Sequence, residues 1–262
     1  MAITHKIVGN AMQMVVCQLE SGQTVYAEAG RFLWKTTNVS LETRLTSPAG
    51  AQAGGGGGGG LLGRAVEMGK RVVAGQSLAF QYFTPTGGSG LVTFAGNLPG
   101  ELRAVELDGS SGWFTEKDAL IAAETGVNFD IAFAGLRTGR RGGTGFILER
   151  FTGQGTLLIA GAGNFIDVNP AKYGGKIQVH SGCLVGFQDS VRYSVEYIGG
   201  LTGQTLMTAA LGGEGINLVT LEGDGGVILQ SMNLHGLAHT LERLIGDPSE
   251  DRGHAGIGGL RG

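Results

Sequence analysis

Short runs of alternating apolar and polar residues, separated by glycine, dominate this chain. They cover residues 23–29, 77–83, 91–95, 146–151, 156–160, 177–180, 192–198, 216–221 and 227–231. Each run is rich in β-branched or aromatic residues and is bounded by Gly, Asn, Asp or Ser, which is the pattern of a half-buried strand. Many such runs at short spacing predict an all-β sandwich or barrel.

The runs repeat. Residues 25–43 (VYAEAGRFLWKTTNVSLET), 113–131 (WFTEKDALIAAETGVNFDI) and 177–195 (IQVHSGCLVGFQDSVRYSV) align without a gap. Val39, Val127 and Val191 coincide, as do Phe32, Leu120 and Leu184, and Leu41, Phe129 and Tyr193. Gly30, Asp118 and Gly182 share one turn-like position. A second pattern follows each unit: a run, a glycine turn and another run, at 78–94, 146–159 and 216–229. The pattern predicts three β-modules, at 1–100, 101–170 and 171–233. Such modules bury between them a core that none could bury alone.

Two segments break the strand pattern. Within 47–75, seven consecutive glycines at 54–60 precede LLGRAVEMGKRVVAG. Glycine has no side chain to bury and a high entropic cost of ordering, so a mobile loop is expected there. Residues 61–74 suit a short helix with Arg64, Lys70 and Arg71 on a basic side. The second segment, 234–246, has its apolar residues at helical spacing and runs into Gly-Asp-Pro, a helix stop. The polar, glycine-rich tail 247–262 is expected to be disordered.

Composition narrows the function classes. The 262 residues include 51 glycines without a G-X-Y period, so collagen is excluded. Hydrophobic residues make up 42% and charged residues 16% of the chain, unlike a disordered polymer. The net charge of −3 argues against a generic nucleic-acid binder. No run of about 18 apolar residues exists. The N-terminus has no basic region followed by a long apolar stretch, so a cytoplasmic protein is expected, with peripheral membrane contact as the further option. Cys17 and Cys183 read as two buried small hydrophobes, with a disulfide or redox pair as the lesser reading, and the absence of CxxC excludes a zinc ribbon or thioredoxin motif.

Candidate chemistry is sparse. His235 and His239 lie four apart on the predicted terminal helix, a metal-ligand spacing to which Glu242 and His254 would add; the plain reading is surface residues. His180, Ser181 and Cys183 (HSGC) are neighbours in sequence, but alternate faces in a strand do not make a dyad. Glu222 and Asp224 (EGDGG) fit turn chemistry. Gly161 and Gly163 are a fragment of a dinucleotide fingerprint, and no phosphate loop exists. Arg137, Arg140 and Arg141 (LRTGRRGG) form a basic cluster in a glycine-rich loop, which a ring would multiply into an anion-contacting patch. Leu61, Leu62, Arg64, Lys70 and Arg71 would suit contact with an anionic membrane surface or a partner. No catalytic residue, metal or cofactor is assigned.

The run GGGGGLLGRAVEMGKRVVAGQSLAFQYFTPTGGSGLVTFAGNLPGELRAVEL resembles a widely distributed, uncharacterised family named after altered inheritance of mitochondria. Segments GTGFILERFTGQGTLLIAGAGNFIDV, HSGCLVGFQDSVRYSVEYI and GEGINLVTLEGDGGVILQS resemble it too, so the likeness spans nearly all of 1–235. It implies a fold similar to the tryptophan RNA-binding attenuation protein, a short double-stranded β-helix present three times per chain, and a tendency to closed oligomers. The mitochondrial members are implicated in inner-membrane organisation, and the resemblance carries no catalytic motif. The resulting expectation is a non-enzymatic, homo-oligomeric scaffold, a trimer or hexamer, linked to a membrane or protein partner. The alternative is a ligand- or RNA-binding module that uses the ring surface.

Overall fold

The computed structural model describes residues 2–44, 79–134, 147–198 and 216–245. Over these residues the chain is antiparallel β-sheet with one α-helix and two 3-10 turns. The first group of strands is β1 (Thr4–Val8), β2 (Met14–Leu19), β3 (Val25–Glu28), β4 (Phe32–Lys35), β5 (Val39–Arg44), β6 (Phe80–Pro85) and β7 (Gly90–Ala95). The second is β8 (Leu102–Asp108), β9 (Trp113–Glu116), β10 (Leu120–Glu124), β11 (Val127–Ala134) and β12 (Ile147–Ala160). The third is β13 (Phe165–Val168), β14 (Lys176–His180), β15 (Leu184–Gln188), β16 (Arg192–Ile198), β17 (Ile216–Glu222) and β18 (Val227–Gln230), followed by α1 (Leu234–Ile245).

The alternation read from the sequence sets the faces. In β2, Val15, Cys17 and Leu19 are fully buried while Gln18 is exposed, the period of two that puts successive side chains on opposite faces. Burial, then the charge of Glu124, pushes the Cys17 thiol up to about 12. Cys183 is only partly buried, and both cysteines are free.

The strands form a four-stranded sheet (β1-β2-β7-β4), a three-stranded sheet (β14-β17-β16) and one large sheet. The large sheet runs β13-β18-β15-β9-β12-β10-β3-β6-β5, with β8 and β11 also paired to β12. Three hydrophobic clusters form the core. One is built on Val15, Phe83 and Phe94, a central one on Tyr26, Leu120 and Phe151, and a third on Leu148, Phe187 and Leu221. Tyr26 ties the first group to the second, its hydroxyl donating to the Val127 carbonyl at 3.1 Å.

One element differs from the sequence expectation. Residues 146–159 read as a hairpin, but the turn-like Gly153-Gln154-Gly155 lies inside β12, a single strand of 14 residues. Gly153 and Gly155 take φ of +98° and +139°, a region costly for residues with a Cβ. They bend the strand instead of reversing it. The first half then pairs with β11 and β9, and the second with β8 and β10.

The groups also meet at a glycine. Gly100 bridges Met12 on one side and Gly163 on the other. A Cβ at Gly100 would stand 1.9 Å from the Gly161 carbonyl oxygen.

The helix forms as its spacing predicts. Asn233 precedes it, and its side-chain oxygen accepts from the Gly236 N–H at 3.3 Å. Such a side-chain acceptor satisfies a donor that the first turn leaves free.

Candidate functional site

Two tight turns bring charged residues together where the three groups of strands converge. Between β3 and β4, Gly30 has φ +95°, and the Arg31 N–H bonds to the Glu28 carbonyl. Between β9 and β10, the matching position is Asp118 with φ +74°, the one left-handed residue other than glycine among the described residues. Here the Ala119 N–H bonds to the Glu116 carbonyl. Aspartate tolerates this region better than most residues.

The turns border a cavity of about 240 Å³. Its apolar wall includes Leu98, Ala160, Leu184 and Val185. Its polar wall includes Arg31, Glu116, Lys117 and Gln230. Gln230, on β18, is fully engaged: its Oε1 accepts from the Ala162 N–H at 2.8 Å and its Nε2 donates to the Gly182 carbonyl at 2.9 Å. The Lys117 ammonium pairs with Asp118 at 2.8 Å.

Arg31 is different. Its residue exposure is only 4%. Nη2 donates to the Asp118 carbonyl at 2.7 Å and lies 3.6 Å from a Glu28 carboxylate oxygen. Nε is buried and has no hydrogen-bond partner. A buried donor left unmade costs roughly 1–3 kcal/mol, more for a charged group.

Burial pushes the Glu116 carboxyl well above its ordinary value of 4.5; the Asp118 charge adds to this and Lys117 opposes it. An acid whose pKa rises on folding holds more protons in the folded than in the unfolded chain between the two values. Its contribution to stability is therefore present below the unfolded value and lost as pH rises toward the folded one. The expected result is that wild type loses stability from about pH 5 to about pH 8 more steeply than Glu116→Gln. Urea midpoints for both proteins at the two pH values check this; parallel slopes would contradict it.

The residues singled out from the sequence lie elsewhere. Arg137, Arg140 and Arg141 fall outside the described residues, as do Leu61, Leu62, Arg64, Lys70, Arg71 and His254. His235 and His239 both lie on α1, with Glu242. Among the described residues no group of three or more His, Cys, Asp or Glu is placed to hold a metal ion. His180 Nδ1 accepts from the Gly182 N–H at 3.0 Å, capping a 3-10 turn that contains Ser181 and Cys183. Glu222 pairs with Arg192 at 2.8 Å. Asp224 accepts from Asn169 at 2.8 Å. Gly161 lines the cavity, and Gly163, with φ +77°, bridges Gly100. The sequence reading did not single out Arg31 or Glu116. The available signal was the alignment of Gly30 with Asp118, whose neighbours they are.

Short antiparallel strands in packed sheets, with the cavity at their convergence, define an all-β protein. The chain belongs to the family described as mitochondrial biogenesis AIM24, which it matches over residues 5–232. An uncharacterised protein of Streptococcus pyogenes serotype M6 is 29% identical over 233 residues, covering 88% of this chain and 86% of the relative. A crystal structure of a Streptococcus pyogenes protein resembles this one with a TM-score of 0.69 at 25% identity. That likeness covers 92% of this chain and 99% of the other. Among the described residues no helix is long and apolar enough to cross a membrane.

Proposed function

We propose that this chain is a non-enzymatic scaffold that assembles with copies of itself through strand edges. The reading takes the chain as three TRAP-like repeats, in which β3–β5, β9–β11 and β14–β16 hold matching places. Its main support is the register at two internal joints. Across β3 and β10, Ala27 faces Ala122 and Tyr26 faces Ala123. Across β9 and β15, Thr115 faces Gly186 and Phe114 faces Phe187. Ala27 and Thr115 occupy one place in the repeat, and Ala122 and Gly186 another, so both joints use the same register.

Applied once more, that register sets Trp34 of β4 against Val179 of β14, and Lys35 against Gln178. Within one chain, β4 pairs only with β7 and β14 only with β17 among the described strands. Leu33 and Trp34 on β4 are 47% and 44% exposed. An open, apolar edge is a template for another strand. Joining β4 of one copy to β14 of the next is a head-to-tail contact, which closes into a ring if the rotation closes. A cyclic trimer or hexamer is the expected product.

Light scattering on the full chain tests this. Wild type is expected at a multiple of its 26.9 kDa chain mass. The exposed-face double variant Leu33→Lys with Trp34→Lys is expected at one chain mass. A single-chain mass for wild type, or an unchanged oligomer in the double variant, overturns the proposal.

A further inference from the structure

We propose that the cavity beside Arg31 binds a small monocarboxylate, held by the guanidinium with its apolar body against Leu98, Leu184 and Val185. The charged end of the site is already built. Arg31 is buried, its Nε donor is unused, and the residue lines the cavity. Buried polar groups are almost always hydrogen-bonded, so an orphan guanidinium N–H at a cavity calls for an acceptor. The planar fork of arginine matches a carboxylate in a bidentate pair. Glu28 does not supply that pair, because its oxygen lies 3.6 Å from Nη2, beyond charge-assisted hydrogen-bond length.

Charge selects a singly charged acid over phosphate. Lys117, the other cation on the cavity wall, is paired with Asp118. Arg31 has Glu28 nearby, so a dianion would meet too little positive charge. Glu116, which burial favours in its neutral form, adds a hydroxyl rather than a second negative charge. Size selects a short chain. The cavity volume is about 240 Å³. It falls below the roughly 300 Å³ at which drug-sized sites begin.

The test uses the full chain with sodium butyrate and sodium hexanoate at constant ionic strength. Butanol, butylamine and inorganic phosphate are the comparison probes. Thermal unfolding and the Arg31 Nε–H resonance are the readouts. Butyrate or hexanoate is expected to raise the melting temperature and shift the resonance, and the comparison probes are not. Leu98→Trp, at a partly exposed position, is expected to block both responses without touching Arg31. Arg31→Lys keeps the charge but loses the fork, and should weaken binding roughly tenfold or more. If Arg31→Lys fails to fold, the resonance and Leu98→Trp decide. No response to either carboxylate, an equal response to phosphate, or a response surviving in Leu98→Trp overturns the proposal.

Discussion

Gly100→Ala is expected to lower stability by about 3 kcal/mol or more, a large effect for the addition of one methyl group. The new Cβ would lie 1.9 Å from the Gly161 carbonyl oxygen and 2.9 Å from the Gly163 nitrogen. Both neighbours are backbone, so neither can rotate aside as a flexible side chain would. Relief requires the bridges from Gly100 to Met12 and Gly163 to open. Those bridges join the ends of the first and second strand groups, and the damage should spread to both. Gly87→Ala is the control: its Cβ would meet nothing within 4 Å. That change is expected to stay within about 0.5 kcal/mol of wild type. Urea unfolding of the three proteins measures both effects, and a Gly100→Ala midpoint equal to wild type would refute the close approach.

Phe187→Ala should cost about 3–5 kcal/mol, as expected for a fully buried aromatic cut back to its first carbon. Phe187 sits on β15 directly opposite Phe114 of β9. The two rings stack at 5.2 Å, and Tyr193 lies 5.5 Å from Phe187. The truncation therefore empties the third core and loosens its joint with the second group together. Leu241→Ala on α1 removes a smaller apolar side chain from a position that is 45% exposed. It should shift the midpoint by only about 0.5 kcal/mol or less. Similar losses in the two variants would show that Phe187 is not in a packed core.

Much of the architecture could be read from periodicity. The runs at 23–29, 192–198 and 216–221 all contain strands, and the helical spacing after Asn233 ends where α1 ends. These signals are local, because a strand's faces or a helix's stripe are set by residues a few positions apart. The misreading at 146–159 arose because glycine marks both a turn and a bent strand, and only tertiary pairing tells them apart. β12 stays extended because β8, β9, β10 and β11 all lie along it.

The cavity was harder to read for the same reason. Arg31, Glu116 and Gln230 are nearly 200 positions apart at the extremes, and nothing in their sequence neighbourhoods links them. Arg31 looked like an ordinary charge after a turn glycine. Only the tertiary fold sets it at one cavity with Leu184 and Val185 of the third group.

The long strand β12 bears on how the chain is made. Synthesis runs from the N-terminus, and domains tend to fold as they emerge. The first group can assemble its own four-stranded sheet early, because β1, β2, β4 and β7 need only one another. The second group cannot. Among the described strands, β8 and β11 find their ladder partner only in β12, which is the last of that group to be made. Until the ribosome has passed Ala160, those two strands exist as unpaired edges. The interval between completing β11 and releasing β12 is therefore one in which two finished strands of the nascent chain lack their partner, and in which a chaperone would have edges to cover.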